Sequence, residues 1–252
     1  LNITVIDSRV DLDDILHLEF ADATSPGFQL LLRERTTDKE RLIPQTGSVD
    51  LRELGLTPGV WDAYGRRLGG SPVRITTLDP GFSLDGLLEY ALRPRSMEFR
   101  AYRTQNGNLS LRVRALTPHA EVSGIAVGEG SIGVHGMLAY TEPPGAAAVL
   151  VVQARRQGIA VEFSATIDGT DFRASVDLDT IAKAHAGGED YWDCRLEPGR
   201  LRLGKHLDDV PQKKTKIRYP AQIREIGGRQ LRIWAYYTDH DNFSITVREV
   251  EA

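Results

Sequence analysis

The chain has one cysteine, Cys194, and so cannot form an internal disulfide. No Cys/His pair has zinc-ligand spacing, and the six histidines are scattered singly. No metal or cofactor is therefore expected, and the fold must be held by its hydrophobic interior. Apolar runs stay well short of the ~18 residues that span a bilayer, and residues 1–10 lack the basic start and apolar centre of a signal peptide. Basic residues are in slight deficit: 31 Lys and Arg against 35 Asp and Glu give a net charge of -4. A whole-surface attraction to nucleic acid needs a basic field, so no nucleic-acid partner is expected and any anion site must be local. Gly-x-Ser-x-Gly elbows and a Cys paired with a plausible His are also missing, and no catalytic residue is assigned.

What the sequence does hold is a repeat. Ile15-Leu16-His17 and Leu30-Leu31-Leu32-Arg33 match Gly133-Val134-His135 and Ala148-Val149-Leu150-Val151, with Ser25-Pro26-Gly27 matching Pro143-Pro144-Gly145 between them. Val49-Asp50-Leu51 matches Val176-Asp177-Leu178, and Trp61-Asp62 matches Trp192-Asp193. Ala101-Tyr102-Arg103-Thr104 and Asn108-Leu109-Ser110 match Ala235-Tyr236-Tyr237-Thr238 and Asn242-Phe243-Ser244. Ordered matches along both halves place one module at 1–116 and a second, with longer loops, at 117–252, joined near Thr117-Pro118.

Within each module the apolar residues alternate, as Leu109, Leu111 and Val113 do with Ser110, Arg112 and Arg114, which is the period of a half-buried strand. Turn clusters separate such runs. The pattern predicts an all-β chain of two tandem antiparallel β-sandwich modules, immunoglobulin-like, with one short helix or turn each at 50–55 and 177–187. Trp61 and Trp192 open a strand in each copy and are expected to fill the core.

Several motifs read as structure. Gly128-Glu129-Gly130-Ser131-Ile132-Gly133 is a literal GxGxxG, but a strand follows it where a phosphate-cradling helix would be needed, so a hairpin turn is expected. Asp11-Leu12-Asp13-Asp14 and Asp177-Leu178-Asp179 are expected to be turns. His17 and His135 share one repeat position, and Tyr102 and Tyr236 are expected to tether hairpin corners.

One segment is basic. Lys205, Lys213, Lys214, Lys216, Arg218, Arg224, Arg229 and Arg232 face only Asp208, Asp209 and Glu225. Lys213, Lys214, Lys216 and Arg218 are the candidate anion-binding residues, for an anionic glycopolymer or a membrane surface. Long basic side chains that solvate an edge strand are the alternative. Tyr219, Trp234 and Tyr237 are the candidate glycan-stacking residues of a carbohydrate-binding alternative. A free-standing enzyme with a site between the modules is a third.

Tyr191-Trp192-Asp193-Cys194-Arg195-Leu196, Arg202-Leu203-Gly204, Tyr236-Tyr237-Thr238 and Asn242-Phe243-Ser244-Ile245 resemble segments of the β-rich C-terminal repeats of actinobacterial glycosyl/glycerophosphate transferases. Those enzymes are similar to the CDP-glycerol glycerophosphotransferases of teichoic-acid-type polymer synthesis. The resemblance implies a non-catalytic accessory region that positions the enzyme or its acceptor. It also implies a catalytic domain upstream in the same polypeptide, in keeping with a first residue that is Leu1 rather than Met, and a cytoplasmic location peripheral to the inner face of the cell membrane.

Overall fold

In the computed structural model the described residues are 3–21, 28–43, 47–67, 69–79, 86–145, 147–208 and 210–250. They form two units: residues 1–90 with 95–117, and residues 91–94 with 118–252. The turn expected at Ser25-Pro26-Gly27 lies outside the described residues.

Unit 1 holds β1 (Ile3–Val10), β2 (Ile15–Phe20), β3 (Phe28–Glu34), β4 (Glu40–Ile43), β5 (Ser48–Asp50), β6 (Gly59–Arg67) and β7 (Val73–Thr77). After the short helix α1 (Leu87–Ala91), which straddles the division, come β8 (Met97–Arg103) and β9 (Leu109–Ala115). Unit 2 holds β10 (His119–Gly128), β11 (Ser131–Ala139), β12 (Ala148–Ala154), β13 (Ala160–Asp168) and β14 (Asp171–Asp177). These are followed by α2 (Leu178–Ala184), β15 (Glu189–Glu197), β16 (Leu201–Gly204), α3 (Lys213–Lys216), β17 (Gln222–Ile226), β18 (Arg229–Tyr237) and β19 (Phe243–Glu249).

The repeat in the sequence is a repeat of strand pairing. The antiparallel pairs β1–β2, β2–β5, β3–β4 and β3–β6 recur as β10–β11, β11–β14, β12–β13 and β12–β15. β6–β7, β6–β9 and β8–β9 recur as β15–β16, β15–β19 and β18–β19. A single parallel pair, β1–β7, recurs as β10–β16. Unit 2 adds β13–β14, which closes a ring running β12-β13-β14-β11-β10-β16-β15 and back to β12. β19, β18 and β17 extend from that ring as a flap.

The all-β expectation holds. Where two separate antiparallel sheets were expected, pairing runs barrel-like around each core and includes a parallel pair.

Each core is built by alternation. Trp61, Ala63, Leu109, Leu111 and Val113 point into the first, and Trp192, Cys194, Leu196, Phe243, Ile245 and Val247 into the second. Both tryptophans are 0% exposed. Burying such a ring removes roughly 150–250 Å² from water, on the order of 4–6 kcal/mol of gross transfer free energy. Cys194 lies in the same interior, where burial pushes its thiol pKa up.

The two tip hairpins use one hydrogen-bond scheme. Thr104 N and Gly107 N donate to Asn108 O and Thr104 O, just as Thr238 N and Asp241 N donate to Asn242 O and Thr238 O. The left-handed position falls on Gly107 in one copy and on Asp241 in the other. The Asn108 and Asn242 positions thus belong to turn chemistry.

The one short helix or turn expected in each module is present. Residues 51–54 form a turn, whereas Asp177 caps α2 by accepting from the Thr180 amide at 2.7 Å, and Leu178, Ile181 and Ala182 bury one face of that helix in the second core. The extra turns α1 and α3 carry no amphipathic run long enough to announce them.

Candidate functional site

The outer face of unit 1 gathers charge from strands far apart in sequence. Because Trp61 and Ala63 point inward, Asp62, Tyr64 and Arg66 point outward on β6, and register sets Arg33 and Ser110 beside Asp62. Arg35, just past β3, and Arg74, on β7, complete a cluster about one carboxylate. Asp62 takes an Arg35 nitrogen at 2.7 Å, an Arg74 nitrogen at 2.6 Å and the Ser110 hydroxyl at 2.7 Å. Burial raises the Asp62 pKa, and the bonds from Arg35, Ser110 and Arg74 outweigh it, leaving the carboxyl below its ordinary value.

The cluster is duplicated. Asp193 takes Arg155 at 2.6 Å, Arg202 at 2.9 Å and the Ser244 hydroxyl at 3.1 Å. Burial again raises the carboxyl pKa, and Arg155, Arg202 and Ser244 together bring it below the usual range.

Around Asp62 the face of unit 1 is arginine-rich. Among the described residues, Arg33, Arg35, Arg66, Arg74, Arg100, Arg112 and Arg114 share it with only Glu40, Asp62 and Glu98. Two of the acids form the floor: the Asp62 and Glu98 side chains are 10% and 3% exposed, while those of Arg35 and Arg114 are 50% and 59% exposed. Glu98 binds Arg100 and, at 2.9 Å, Arg114. Arg33 and Arg74 lie over the Tyr64 ring at 4.7 and 5.1 Å, and Arg112 lies over Tyr102 at 5.8 Å. Carboxylates below and guanidinium groups above give the surface a positive outer layer.

The anion-binding candidates of unit 2 do not share one exposed face. Lys213 is 1% exposed, with its ammonium 2.7 Å from Asp208, 3.7 Å from Asp241 and donating to Val210 O at 2.6 Å. Lys214 is exposed and pairs with Asp239 at 2.8 Å. Lys216 and Arg218 are exposed. Arg224 pairs with Asp179 at 2.6 Å, and Arg229 donates to the His185 carbonyl.

The glycan-stacking candidates are also split. Trp234 points outward on β18, but Tyr237, three residues on, points inward and is 1% exposed, with Tyr219 packed on it at 6.3 Å. Alternation puts residues an odd number apart on opposite faces, so these rings form no common platform.

The remaining motifs serve the fold. Gly128 to Gly133 is the β10–β11 turn, tied down by Gln222, which accepts from Gly130 N and donates to Gly128 O. Asp11 accepts from Asp13 N, Ile15 N and His17, while Asp14 holds Arg95 and the Tyr90 hydroxyl. A cluster the sequence did not suggest joins His119 to Glu121 at 3.0 Å, with His206 against the His119 ring. Glu121 spends its other acceptors on the His206 and Leu207 amides, which fixes the chain after β16. Among the described residues no group of three or more His, Cys, Asp or Glu is placed to hold a metal ion, and no helix is long and apolar enough to cross a membrane.

No family model matches the chain, and no curated protein matches it. Among solved structures, S. aureus TarS 217–571 is similar at 12% identity with a TM-score of 0.42, over 66% of this chain and 50% of that one. S. aureus TarS is similar at 14% identity with a TM-score of 0.33, over 75% of this chain and 38% of that one. The chain spans half or less of these structures, and likenesses of this strength fix neither fold nor activity.

Proposed function

We propose that the chain is a non-catalytic accessory region of a cell-envelope glycosyl/glycerophosphate transferase, and that it holds an anionic polymer on the outer sheet of unit 1. The observation that carries the binding half is the layered face, where arginines stand above nearly buried carboxylates and outnumber them. A guanidinium fork matches phosphate geometry, and several forks on one rigid sheet suit a repeating polyanion better than a single small anion. The transferase half rests on the sequence resemblance of 191–196, 202–204, 236–238 and 242–245. With it come the proposed upstream catalytic domain and a station at the inner membrane face.

The test uses the full chain with inorganic polyphosphate as the probe, by calorimetry at low and at physiological salt. Binding should weaken as salt rises. It should fall about tenfold in Arg112→Glu, a change of roughly 1.4 kcal/mol, because Arg112 is exposed and lies over Tyr102 on that face. Absence of binding at low salt, or binding indifferent to Arg112→Glu, overturns the reading. A nucleotide-binding α/β domain in the coding sequence upstream of Leu1 supports the transferase half, and an unrelated domain there removes it.

A further inference from the structure

The two units keep the same strands in the same register but decorate one cross-strand row differently. In unit 1 that row is Val60, Arg112 and Arg100 across β6, β9 and β8. In unit 2 it is Tyr191, Thr246 and Trp234 across β15, β19 and β18. The next row, Asp62-Ser110-Tyr102, is kept as Asp193-Ser244-Tyr236. A shared scaffold has thus exchanged cations for aromatic rings at one place.

The small central residues of β19 let the flanking rings lean over them: Ser244 and Thr246 are 0% and 1% exposed, while Tyr191 is 36% exposed and Trp234 is half-buried. Tyr191 and Tyr236 meet edge to face at 6.0 Å. Arg232 and Arg248 lie 5.5 and 5.8 Å from the Trp234 ring centre. Adjacent strands are about 4.8 Å apart, so Tyr191 and Trp234, two strands apart, are offset by roughly 10 Å, a span that two linked pyranose rings cover.

Most of the charges around the rings are paired. Arg248 pairs with Glu189 at 2.8 Å, and Arg155 and Arg202 share Asp193. Arg155, Arg202, Arg232 and Arg248 stand against Glu189 and Asp193, a smaller surplus of cations than on the face of unit 1. A stable protein interface needs about 800 Å² per partner around an apolar centre, whereas these are three rings bordered by paired charges. A neutral sugar fits both facts, with apolar C–H faces for the rings and hydroxyls for the charged side chains at their edges.

We infer that the outer face of β15, β19 and β18 is a stacking site for two linked neutral sugar rings of a glycan, with Trp234 and Tyr191 as the stacking faces and Glu189, Arg232 and Arg248 as hydroxyl partners. The site stands apart from the polyanion reading, and an uncharged probe tests it separately.

The chain has three tryptophans, of which Trp61 and Trp192 are 0% exposed, so an emission change on adding an uncharged sugar reports Trp234. The full chain is applied to an array of neutral oligosaccharides and then titrated with oligomers of N-acetylglucosamine and of glucose. The expected result is saturable binding that is indifferent to salt, is lost in Trp234→Leu, and weakens at least ~10-fold in Tyr191→Ala. Thr246→Arg, which gives this row the residue found in unit 1, should also abolish it. Circular dichroism of each variant checks the fold, and Tyr191→Ala keeps the test decisive if Trp234→Leu unfolds. No binding on the array and in both titrations, or binding that survives Tyr191→Ala and Thr246→Arg, overturns the site.

Discussion

Replacing Lys213 with methionine removes one ammonium and keeps most of the side-chain length. That ammonium sits 2.7 Å from Asp208 and 3.7 Å from Asp241 and donates to Val210 O. The Lys213 side chain is 2% exposed, but those of Asp208 and Asp241 are 23% and 18% exposed. Removing one partner of a fully buried pair costs about 3–5 kcal/mol, because the other charge is left uncompensated. Water reaches both aspartates and shares the burden, so the expected cost is about 2 kcal/mol. In a unit of this size that lowers Tm by roughly 6–8 °C. Lys214→Met is the control, since Lys214 and its partner Asp239 are exposed, and it should leave stability within error. Urea unfolding followed by circular dichroism, with allowance for separate transitions of the two units, reads both variants. Equal midpoints for Lys213→Met and Lys214→Met would refute the buried bridge and return Lys213 to the exposed basic cluster.

Gly136→Ala should cost at least ~2 kcal/mol, because an added Cβ would lie 1.8 Å from the Glu121 carbonyl oxygen, in backbone that cannot move aside. Gly145→Ala, with nothing within 4 Å of its Cβ, should be neutral by the same melting assay. Asp62 and Asp193 are held below the usual carboxylate pKa in the folded chain, so each adds stability above about pH 4 and loses it as pH falls through the folded value. Urea midpoints from pH 7 to pH 3 should therefore drop at the acid end, and Asp62→Asn should lower the midpoint of unit 1 at neutral pH while flattening its acid dependence.

The duplication was legible because its marks are core and turn residues. Trp61 and Trp192 occupy one place in the interior, and Thr104-Asn108 and Thr238-Asn242 close the same hairpin. Alternation alone located β9 and β19. The duplicated carboxylate cluster was half visible: Asp62, Asp193, Ser110 and Ser244 lie in the matched strings, but Arg35, Arg74, Arg155 and Arg202 reach them only through pairing that the linear sequence does not display.

The arginine face was hidden for the same reason, its members being spread over separate strands, whereas the compact run at 213–218 drew attention by density. That run includes the single turn α3, which turns Lys213 inward. Trp234 and Tyr237 stand three apart on one strand, and such positions cannot share a face.

The most direct test of the arginine-face account is an amide chemical-shift titration of the full chain with inorganic polyphosphate. The account predicts that the largest shifts fall on Arg100, Ser110, Arg112 and Arg114, with the Trp234 row of unit 2 unmoved. Shifts centred on Lys214, Lys216 and Arg218, with β8 and β9 silent, would contradict it.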